Sequence, residues 1–314
     1  MRIAILGGTS QIAKDLVLLL AARDQHDIAL FARRPETVQL WLASVGLPAR
    51  HTAAEFAAFS AAEPFDAVMN FVGMGNPAGI AAMGASIFDV TEKFDSMALS
   101  YLRQRPQCRY LFLSSGAAYG SSFEKPVTED TPATFAINNL QPQDWYAAAK
   151  LSAELRHRSL PHLPIVDIRV FSYFSRTQDL AARFLITDIL RAIRDGAVMQ
   201  TAPDYVVRDF VHPTDFCNLV SALLSSPASN AVVDCYSRAP IDKPTLLNVM
   251  QQNFGLRYEI AKMTAHINLS NAKPYYYSLN KRAAAFGYTP GLTSLDGVMR
   301  EANVILRATR AGGS

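Results

Sequence analysis

The sequence predicts an α/β fold built around a doubly wound parallel sheet. The chain opens with a short apolar strand, Arg2 to Leu6, followed by a glycine turn and a helix. Apolar strands and helical segments then alternate to about residue 171. Such alternation is typical of a parallel sheet with helices on both faces, and the opening strand, turn and helix are typical of a Rossmann-type dinucleotide-binding unit.

The individual elements follow from the spacing of apolar residues. Short branched runs bounded by glycine or polar residues predict buried strands, whereas a 3.6-residue period predicts helices. In the first half, the predicted strands are 2–6, 27–32, 49–53, 66–72, 110–115 and 164–171, and the predicted helices are 10–23, 35–45, 84–104 and one that begins near residue 145.

The pattern loosens after residue 171. We predict helices at 178–195, 214–226, 244–254 and 294–309, and strands at 205–211, 231–236 and 257–263. Thr293 and Asp296 fit a capping arrangement at the start of the last helix. We therefore expect a dinucleotide-binding domain over residues 1–171 and a smaller α+β substrate-binding region over 172–314, with some elements of the second interleaved with the first.

Composition excludes several classes of protein. Charged residues make up 18% of the chain and the formal net charge is +3, with the basic residues scattered, so we expect no nucleic-acid-binding surface. No run is long enough to span a membrane, and no signal peptide is visible. The cysteines and histidines show neither disulfide nor metal-ligand spacing. We expect a soluble, cytoplasmic enzyme without a metal site.

The first glycine turn is a candidate cofactor loop. Gly7 permits a tight turn, and Ala13 serves close helix packing, but Ser10 stands where the dinucleotide fingerprint usually has its middle glycine. The alternative is a plain turn between a strand and a helix. Because a helix N-terminus follows, anion binding is favoured. The predicted cofactor-binding residues here and at the end of the fourth strand are Gly7, Thr9, Ser10, Gln11, Ile12 and Gly73.

The end of the second strand bears on the choice of cofactor. An NAD site usually places an acidic residue there for the ribose 2′-hydroxyl, but this chain has Ala32 followed by Arg33 and Arg34. Two guanidinium groups suit a 2′-phosphate. The alternative is a solvated basic turn. We predict that NADP(H) is preferred, with NAD(H) as the alternative cofactor.

Tyr146 and Lys150 form a Tyr-x-x-x-Lys pair in a stretch rich in helix-forming residues. Four-residue spacing puts both side chains on one helical face, where the ammonium would favour the tyrosinate form and make Tyr146 a usable acid or base. The motif recurs at Tyr258/Lys262 and Tyr277/Lys281. Spacing alone therefore does not select the first pair.

The strand before this helix ends at Ser114-Ser115. Catalytic groups in open α/β sheets lie beyond the carboxyl ends of strands, so Ser115 is placed to bind a substrate oxygen on which negative charge develops. The alternative is that the two serines merely close a strand. The Tyr146 helix is the next long element, which favours the catalytic interpretation.

These motifs together resemble the extended short-chain dehydrogenase/reductases, the NAD(P)-dependent epimerase/dehydratase group that acts largely on nucleotide sugars. The resemblance covers nearly the whole chain and includes the stretches at 126–130, 167–175, 205–212 and 278–290. It implies catalytic roles for Ser115, Tyr146 and Lys150. It also implies that Phe171 lies near the nicotinamide, that Ser172 and Arg208 bind substrate, and that the protein is a homodimer through helices 84–104 and 146–158.

Departures from the family pattern narrow the predicted chemistry. Gly116 and Ala117 stand where the sugar 4,6-dehydratases carry an Asp-Glu pair, and Gly116 also replaces the cysteine of the fucose-type epimerase-reductases. We therefore predict an NADP-dependent reductase of a keto group on a nucleotide-activated sugar. The alternatives are a redox-neutral, NAD-dependent 4-epimerase and a cofactor-binding regulatory protein without turnover.

Overall fold

The computed structural model describes residues 1–23, 26–47, 50–261 and 273–311. The strands in chain order are β1 (Arg2–Leu6), β2 (Asp27–Ala32), β3 (Thr52–Glu55), β4 (Ala67–Asn70), β5 (Arg109–Ser115), β6 (Ile165–Val170), β7 (Ser172–Tyr173), β8 (Val198–Thr201), β9 (Val207–Arg208), β10 (Phe210–Val211), β11 (Ala231–Cys235), β12 (Ile241–Asp242), β13 (Arg257–Ile260) and β14 (Tyr275–Tyr276). The helices are α1 (Gln11–Ala22), α2 (Pro35–Ser44), α3 (Pro77–Met83), α4 (Ser86–Gln104), α5 (Trp145–Arg158), α6 (Leu185–Arg194), α7 (Pro213–Ser225), α8 (Lys243–Phe254) and α9 (Ser294–Ala311).

A parallel sheet of seven strands organises the described part of the chain. Its order is β3-β2-β1-β4-β5-β6-β11, and every neighbouring pair is parallel. The predicted Rossmann-type fold is confirmed. The chain reverses its direction of sheet growth between β1 and β4, and the carboxyl ends of strands at such a point form the crevice in which ligands bind.

Alternating residues of β1 pack on opposite faces of the sheet, because successive strand side chains point in opposite directions. Ile3 and Ile5 belong to a core that includes Leu16 of α1. Ala4 and Leu6 belong to a second core that includes Leu99 of α4. Burial on both faces explains why the strand is apolar without alternation.

The second half of the chain has its own core but also contributes to the sheet. Ile189 of α6, Met250 of α8 and Ala302 of α9 are buried in one cluster. β11, by contrast, forms the edge of the seven-stranded sheet beside β6. Elements from beyond residue 171 therefore lie in both parts of the fold.

Two predictions for the second half were wrong. The helix expected at 178–195 begins only at Leu185, because the Phe184 backbone N–H donates to the Thr187 hydroxyl (3.0 Å) and caps it there. The strand expected at 205–211 is interrupted at Asp209, whose buried carboxylate accepts a hydrogen bond from the Ser237 backbone N–H (3.0 Å). β9 and β10 consequently pair with different strands.

Other boundaries moved by a few residues. The weakly signalled third strand, expected at 49–53, is observed as β3, and residue 49 of the expected strand lies outside the described residues. The cap of α9 is confirmed, since Asp296 accepts from the Thr293 backbone and donates its own N–H to the Thr293 hydroxyl, both at 3.1 Å. Within the described ranges, no helix has the length and apolar character needed to cross a membrane.

Candidate active site

The glycine turn after β1 is held close to the neighbouring strand. Gly7 has φ +90°, and a Cβ atom there would lie 2.9 Å from the backbone of Phe71 and Val72. The N–H groups of Gly7 and Gly8 both donate to the Phe31 carbonyl, at 2.9 and 3.1 Å. Only glycine fits position 7, so the turn brings the N-terminus of α1 directly to the crevice.

The predicted loop residues differ in what they can offer a ligand. Thr9 is exposed, and the side chain of Ser10 makes no capping hydrogen bond at the start of α1. Ile12 packs against the core. Gln11 instead donates from Nε2 to the Ser175 hydroxyl (2.8 Å) and so ties the loop to the second half of the chain.

Arg33 and Arg34 are exposed at the carboxyl end of β2, directly after the buried Ala32. Neither guanidinium forms an ion pair with any residue that the structure describes. No acidic side chain from β2 stands at this position. The geometry leaves both guanidinium groups available to an anion beyond the carboxyl end of β2.

α5 places Tyr146 and Lys150 one turn apart on the face that meets β5. Lys150 is 4% exposed, and its ammonium donates to the Leu113 carbonyl of β5 (2.8 Å). The ammonium lies 4.5 Å from the centre of the Phe112 ring and 5.9 Å from that of Tyr146. A Cβ at Gly73 would lie 3.8 Å from Lys150 Nζ, so the glycine after β4 lies beside the lysine.

Three hydroxyl groups meet at the carboxyl end of β5. Ser115 is 7% exposed, and its Oγ lies 3.4 Å from the hydroxyl of Tyr276 on β14. The same Oγ accepts from the Ala117 backbone N–H (3.1 Å), which fixes its position. Tyr146 is near enough for the Ser115 hydroxyl to influence its pKa. Ser115, Tyr146 and Lys150, predicted separately, therefore lie together at one sheet edge.

The pKa of Tyr146 is raised, whereas the neighbouring ammonium of Lys150 was expected to lower it. Burial raises the pKa of Tyr146, and the hydrogen bond with Ser115 offsets only part of that rise. Burial also lowers the pKa of Lys150 to about 8, against the attraction of the Glu154 carboxylate. The ammonium is held by the Leu113 carbonyl and the Phe112 ring, and desolvation of the phenol dominates.

An aromatic cluster, made of Tyr119, Phe123, Phe171 and Tyr276, lies beyond the ends of β5 and β6. Phe171 is buried, with its ring centre 5.2 Å from that of Tyr276 and 6.2 Å from that of Tyr119. A Cβ at Gly116 would lie 2.4 Å from the Phe171 ring. Ser172 follows in β7, half-buried and paired with Phe210 of β10. Both predicted residues thus border the site.

Arg208 is half-buried on β9, opposite Tyr276 in the β9–β14 pair. Its Nη1 donates to the carbonyls of Val207 (2.8 Å) and Lys273 (2.7 Å). Arg208 forms no ion pair with the nearby carboxylates of Asp209 and Asp215, both of which the structure describes. Asp209 accepts instead from Ser237 and Ser294, and Asp215 from the N–H groups of Gly291 and Leu292.

The other two Tyr-x-x-x-Lys motifs show no such arrangement among the described residues. Tyr258 is on β13, where no helix supports it, and Lys262 lies outside the described residues. Tyr277 follows β14, but the Lys281 ammonium lies over a different ring, 3.6 Å from the centre of Tyr236. Among the motif tyrosines that the structure describes, only that of the first motif is hydrogen-bonded to Ser115.

Two residues of the site were missed by the sequence analysis, Tyr276 and Lys273. The Lys273 ammonium lies 4.9 Å from the ring centres of both Tyr276 and Phe123. Both residues belong to the run from Lys273 to Tyr277, whose three consecutive tyrosines were a signal in the sequence. The two-residue strand β14 has no period that could have placed them.

The sequence model of the NAD dependent epimerase/dehydratase family matches residues 3–236. The chain belongs to this family. Its match spans the glycine turn, Ser115 and the Tyr146–Lys150 pair, whereas Lys273 and Tyr276 lie beyond it. Among curated proteins, no sequence matches the chain.

Solved structures share the fold of this family member at low sequence identity. UDP-glucuronic acid 4-epimerase from Bacillus cereus, determined with UDP-glucuronic acid and NAD, is 16% identical over 98% of this chain and 100% of its own, with a TM-score of 0.78. UDP-glucose 4-epimerase from Thermotoga maritima is 15% identical over 99% and 100%, with a TM-score of 0.79. dTDP-glucose 4,6-dehydratase from Bacillus anthracis, with NAD, is 15% identical over 96% of both chains, with a TM-score of 0.73.

Proposed function

We propose that this epimerase/dehydratase-family protein is an enzyme that inverts C4 of a nucleotide-linked sugar in a redox-neutral reaction with NAD. The observation that carries the proposal is the meeting of Ser115, Tyr146 and Lys150 at the carboxyl edge of the sheet. The similarity to two 4-epimerase structures supports this alternative over the NADP-dependent reduction that the sequence favoured. NADP preference is therefore not part of the main proposal.

The crevice fits a dinucleotide. Gly7 leaves no space for a side chain where β1 turns into α1, and the free N–H groups at a helix N-terminus attract a pyrophosphate. The Ser10 hydroxyl, which caps nothing, is available as a further donor. Gly7 and the N-terminus of α1 would hold NAD, which would supply a reversible hydride acceptor for C4 of the sugar.

Tyr146 would take the proton from the C4 hydroxyl and later return it to the oxygen. Ser115 would donate a hydrogen bond to that oxygen while it is a carbonyl, because its Oγ is fixed by the Ala117 N–H. Lys150, anchored on Leu113, would supply positive charge beside Tyr146. Gly116 and Ala117 carry no acid or base, so removal of water is not expected.

Arg33 and Arg34 favour a second candidate, reduction of a keto sugar nucleotide by NADPH. Their guanidinium groups are exposed and unpaired within the described ranges, where a 2′-phosphate would lie. Fluorescence titration of the parent and the Arg33→Ala variant with NADPH and NADH tests this. Loss of NADPH affinity alone supports it, whereas equal affinities in the parent contradict it.

The main test is a product assay. The purified protein is incubated with NAD and with UDP-glucose, UDP-galactose, UDP-glucuronic acid or UDP-galacturonic acid. We expect the C4 epimer on chromatography without net change in absorbance at the NADH wavelength. Net oxidation of NADPH with a 4-keto substrate would favour the second candidate. No product from any substrate, with UDP, GDP, CDP and dTDP all failing to bind at millimolar concentration, would overturn the nucleotide-sugar assignment.

A further inference from the structure

Two cationic side chains approach one aromatic ring of the site. The Arg208 guanidinium carbon lies 6.0 Å from the centre of the Tyr276 ring. The Lys273 ammonium lies 4.9 Å from the same centre and 4.9 Å from that of Phe123. The backbone couples them as well, because Arg208 Nη1 donates to the Lys273 carbonyl (2.7 Å). This arrangement collects two positive charges in one half-buried place.

Neither charge is neutralised by a carboxylate of the chain as far as the structure describes it. The ammonium of Lys273 has ring faces as its contacts, and Arg208 donates to carbonyls. Burial, followed by repulsion from Arg208, lowers the pKa of Lys273 to about 8, and the attraction of Asp144 offsets this only in part. The adjoining residues 262–272 include no Asp or Glu in sequence. Half-buried cations of this kind require an anion from elsewhere.

Lys273 lies near the part of the site where Ser115 and Tyr146 would act on the substrate. The Tyr276 ring that Lys273 contacts carries the hydroxyl 3.4 Å from Ser115 Oγ. Asp144, which acts on the Lys273 charge, directly precedes α5 and lies two residues before Tyr146. Lys273 therefore contacts a ring whose hydroxyl lies beside Ser115, and Arg208 extends from β9, the strand that pairs with β14.

We propose that Lys273 binds an anionic substituent on the sugar itself, so that the preferred substrate is a nucleotide-linked sugar acid. This rests on the proposed function and deepens it. The planar fork of Arg208 suits a diphosphate, and the compact ammonium of Lys273 suits a carboxylate. A neutral sugar would leave the Lys273 charge with ring faces alone for partners.

Isothermal titration of the NAD-loaded protein with UDP, UDP-glucose and UDP-glucuronic acid tests the proposal. We expect UDP-glucuronic acid to bind at least about tenfold more tightly than UDP-glucose, because a partly desolvated contact between opposite charges contributes at least that much to affinity. Lys273→Met should abolish that preference and leave the affinity for UDP unchanged. Lys281→Met is the matched control, because Lys281 also lies over a tyrosine ring, that of Tyr236.

A second measurement does not depend on any variant. In the parent protein, the preference for UDP-glucuronic acid over UDP-glucose should fall as the pH rises above about 8, because Lys273 loses its charge. Equal affinities for the two sugars at pH 7, or a preference that survives both Lys273→Met and high pH, would overturn the inference while UDP binding upholds the proposed function. Failure of all three ligands to bind, together with failure of GDP, CDP and dTDP, would overturn both.

Discussion

Tyr146 combines two properties that oppose each other. Its position beside Ser115 and Lys150 suits proton transfer at a sugar hydroxyl, but burial raises its pKa and keeps the phenol protonated. Proton removal from substrate needs the phenolate, so Ser115 and the nearby ammonium must offset the cost of burying that charge. The activity of the residue therefore depends on its neighbours as much as on its own chemistry.

Tyr146→Phe should lower the turnover of the epimerase reaction by about 10²–10⁴-fold, the usual contribution of general acid–base catalysis. The ring and its packing remain, so the affinities for NAD and for UDP should change little. Steady-state assay of epimer formation, combined with isothermal titration, measures both effects.

Tyr258→Phe and Tyr277→Phe are the controls, since each removes the tyrosine hydroxyl of one of the other two Tyr-x-x-x-Lys motifs. Both should leave turnover within a small factor of the parent value. If Tyr277→Phe were instead the variant that abolishes turnover, the choice of Tyr146 would be wrong.

At this scale the sequence predicted the partners but not their electrostatics. Ser115 at a strand end and Tyr146–Lys150 on one helical face follow from local patterns, and they lie together. The raised pKa of Tyr146 does not follow, because burial is set by residues far along the chain. Tyr276 and Lys273 were not predicted for a similar reason. They lie on or just before the two-residue strand β14, whose position is set by its pairing with β9, where Tyr276 is opposite Arg208.

The junction of β5 with the short turn at Gly116–Tyr119 shows how elements set the chemistry. In the sequence, Gly116 stands where related enzymes carry an acidic residue or a cysteine. The structure adds a steric reason, because any Cβ there would lie 2.4–2.6 Å from the Phe171 ring. The aromatic cluster and the absence of a side chain at position 116 therefore depend on one another.

Gly116→Ala should destabilise the fold by about 1–3 kcal/mol, the usual cost of forcing a methyl group into a packed site. Urea denaturation followed by far-ultraviolet circular dichroism measures the change. The Phe171 ring must shift to admit the methyl group, so epimerase turnover should fall as well.

Gly75→Ala is the matched control, because a Cβ at Gly75 would meet nothing within 4 Å. Its free energy of unfolding should stay within about 0.5 kcal/mol of the parent value, as for most exposed substitutions. Equal stability of the Gly116→Ala and parent proteins would show that Phe171 yields without cost.

Element boundaries were predictable where period and turn chemistry agreed. β1, α1 and β2 were found within a residue or so of their expected bounds. The helix predicted over 178–195 begins later than expected. Its apolar spacing continues upstream, but Thr187 caps the helix at Phe184. The continuous strand predicted over 205–211 is interrupted because Asp209 accepts hydrogen bonds from Ser237 and Ser294. These partners are distant in sequence, so no local pattern could predict the interruption.

At the scale of the whole molecule, polar contacts join the two halves. Gln11 binds Ser175, and Asp15 accepts from Thr177 and Tyr173, both at 2.8 Å.

The expected division at residue 171 stays a prediction, as does a homodimer through α4 and α5. Leu155 on α5 is 62% exposed, and a Leu155→Glu variant in light scattering would test that dimer.

A buried charge network connects α4, α5 and β6 behind the active site. His157 is 0% exposed, with Nδ1 2.6 Å from Asp167 Oδ1 and Nε2 2.7 Å from Asp95 Oδ1. Only the doubly protonated imidazole can donate to both carboxylates. Burial alone would lower the pKa of His157, but Asp167 and Asp95 together raise it to about 9.

This network predicts a pH dependence of stability. Because the folded pKa of His157 lies above its ordinary value of 6.5, its contribution is complete below about pH 6.5 and is lost as the pH rises through about 9. The shift corresponds to about 3 kcal/mol. Urea denaturation of the parent and of His157→Gln at intervals between pH 6 and 9.5 measures the difference in unfolding free energy.

That difference should be largest at the acidic end and shrink steadily toward pH 9.5. Taking the difference removes the contributions of Lys150 and Lys273, which both proteins retain and whose lowered pKa values act in the opposite direction above about pH 8. His162→Gln, at an exposed position, should show no such trend. A difference that stays constant with pH would mean that His157 is neutral in the folded protein and that one of its two carboxylates carries the proton instead.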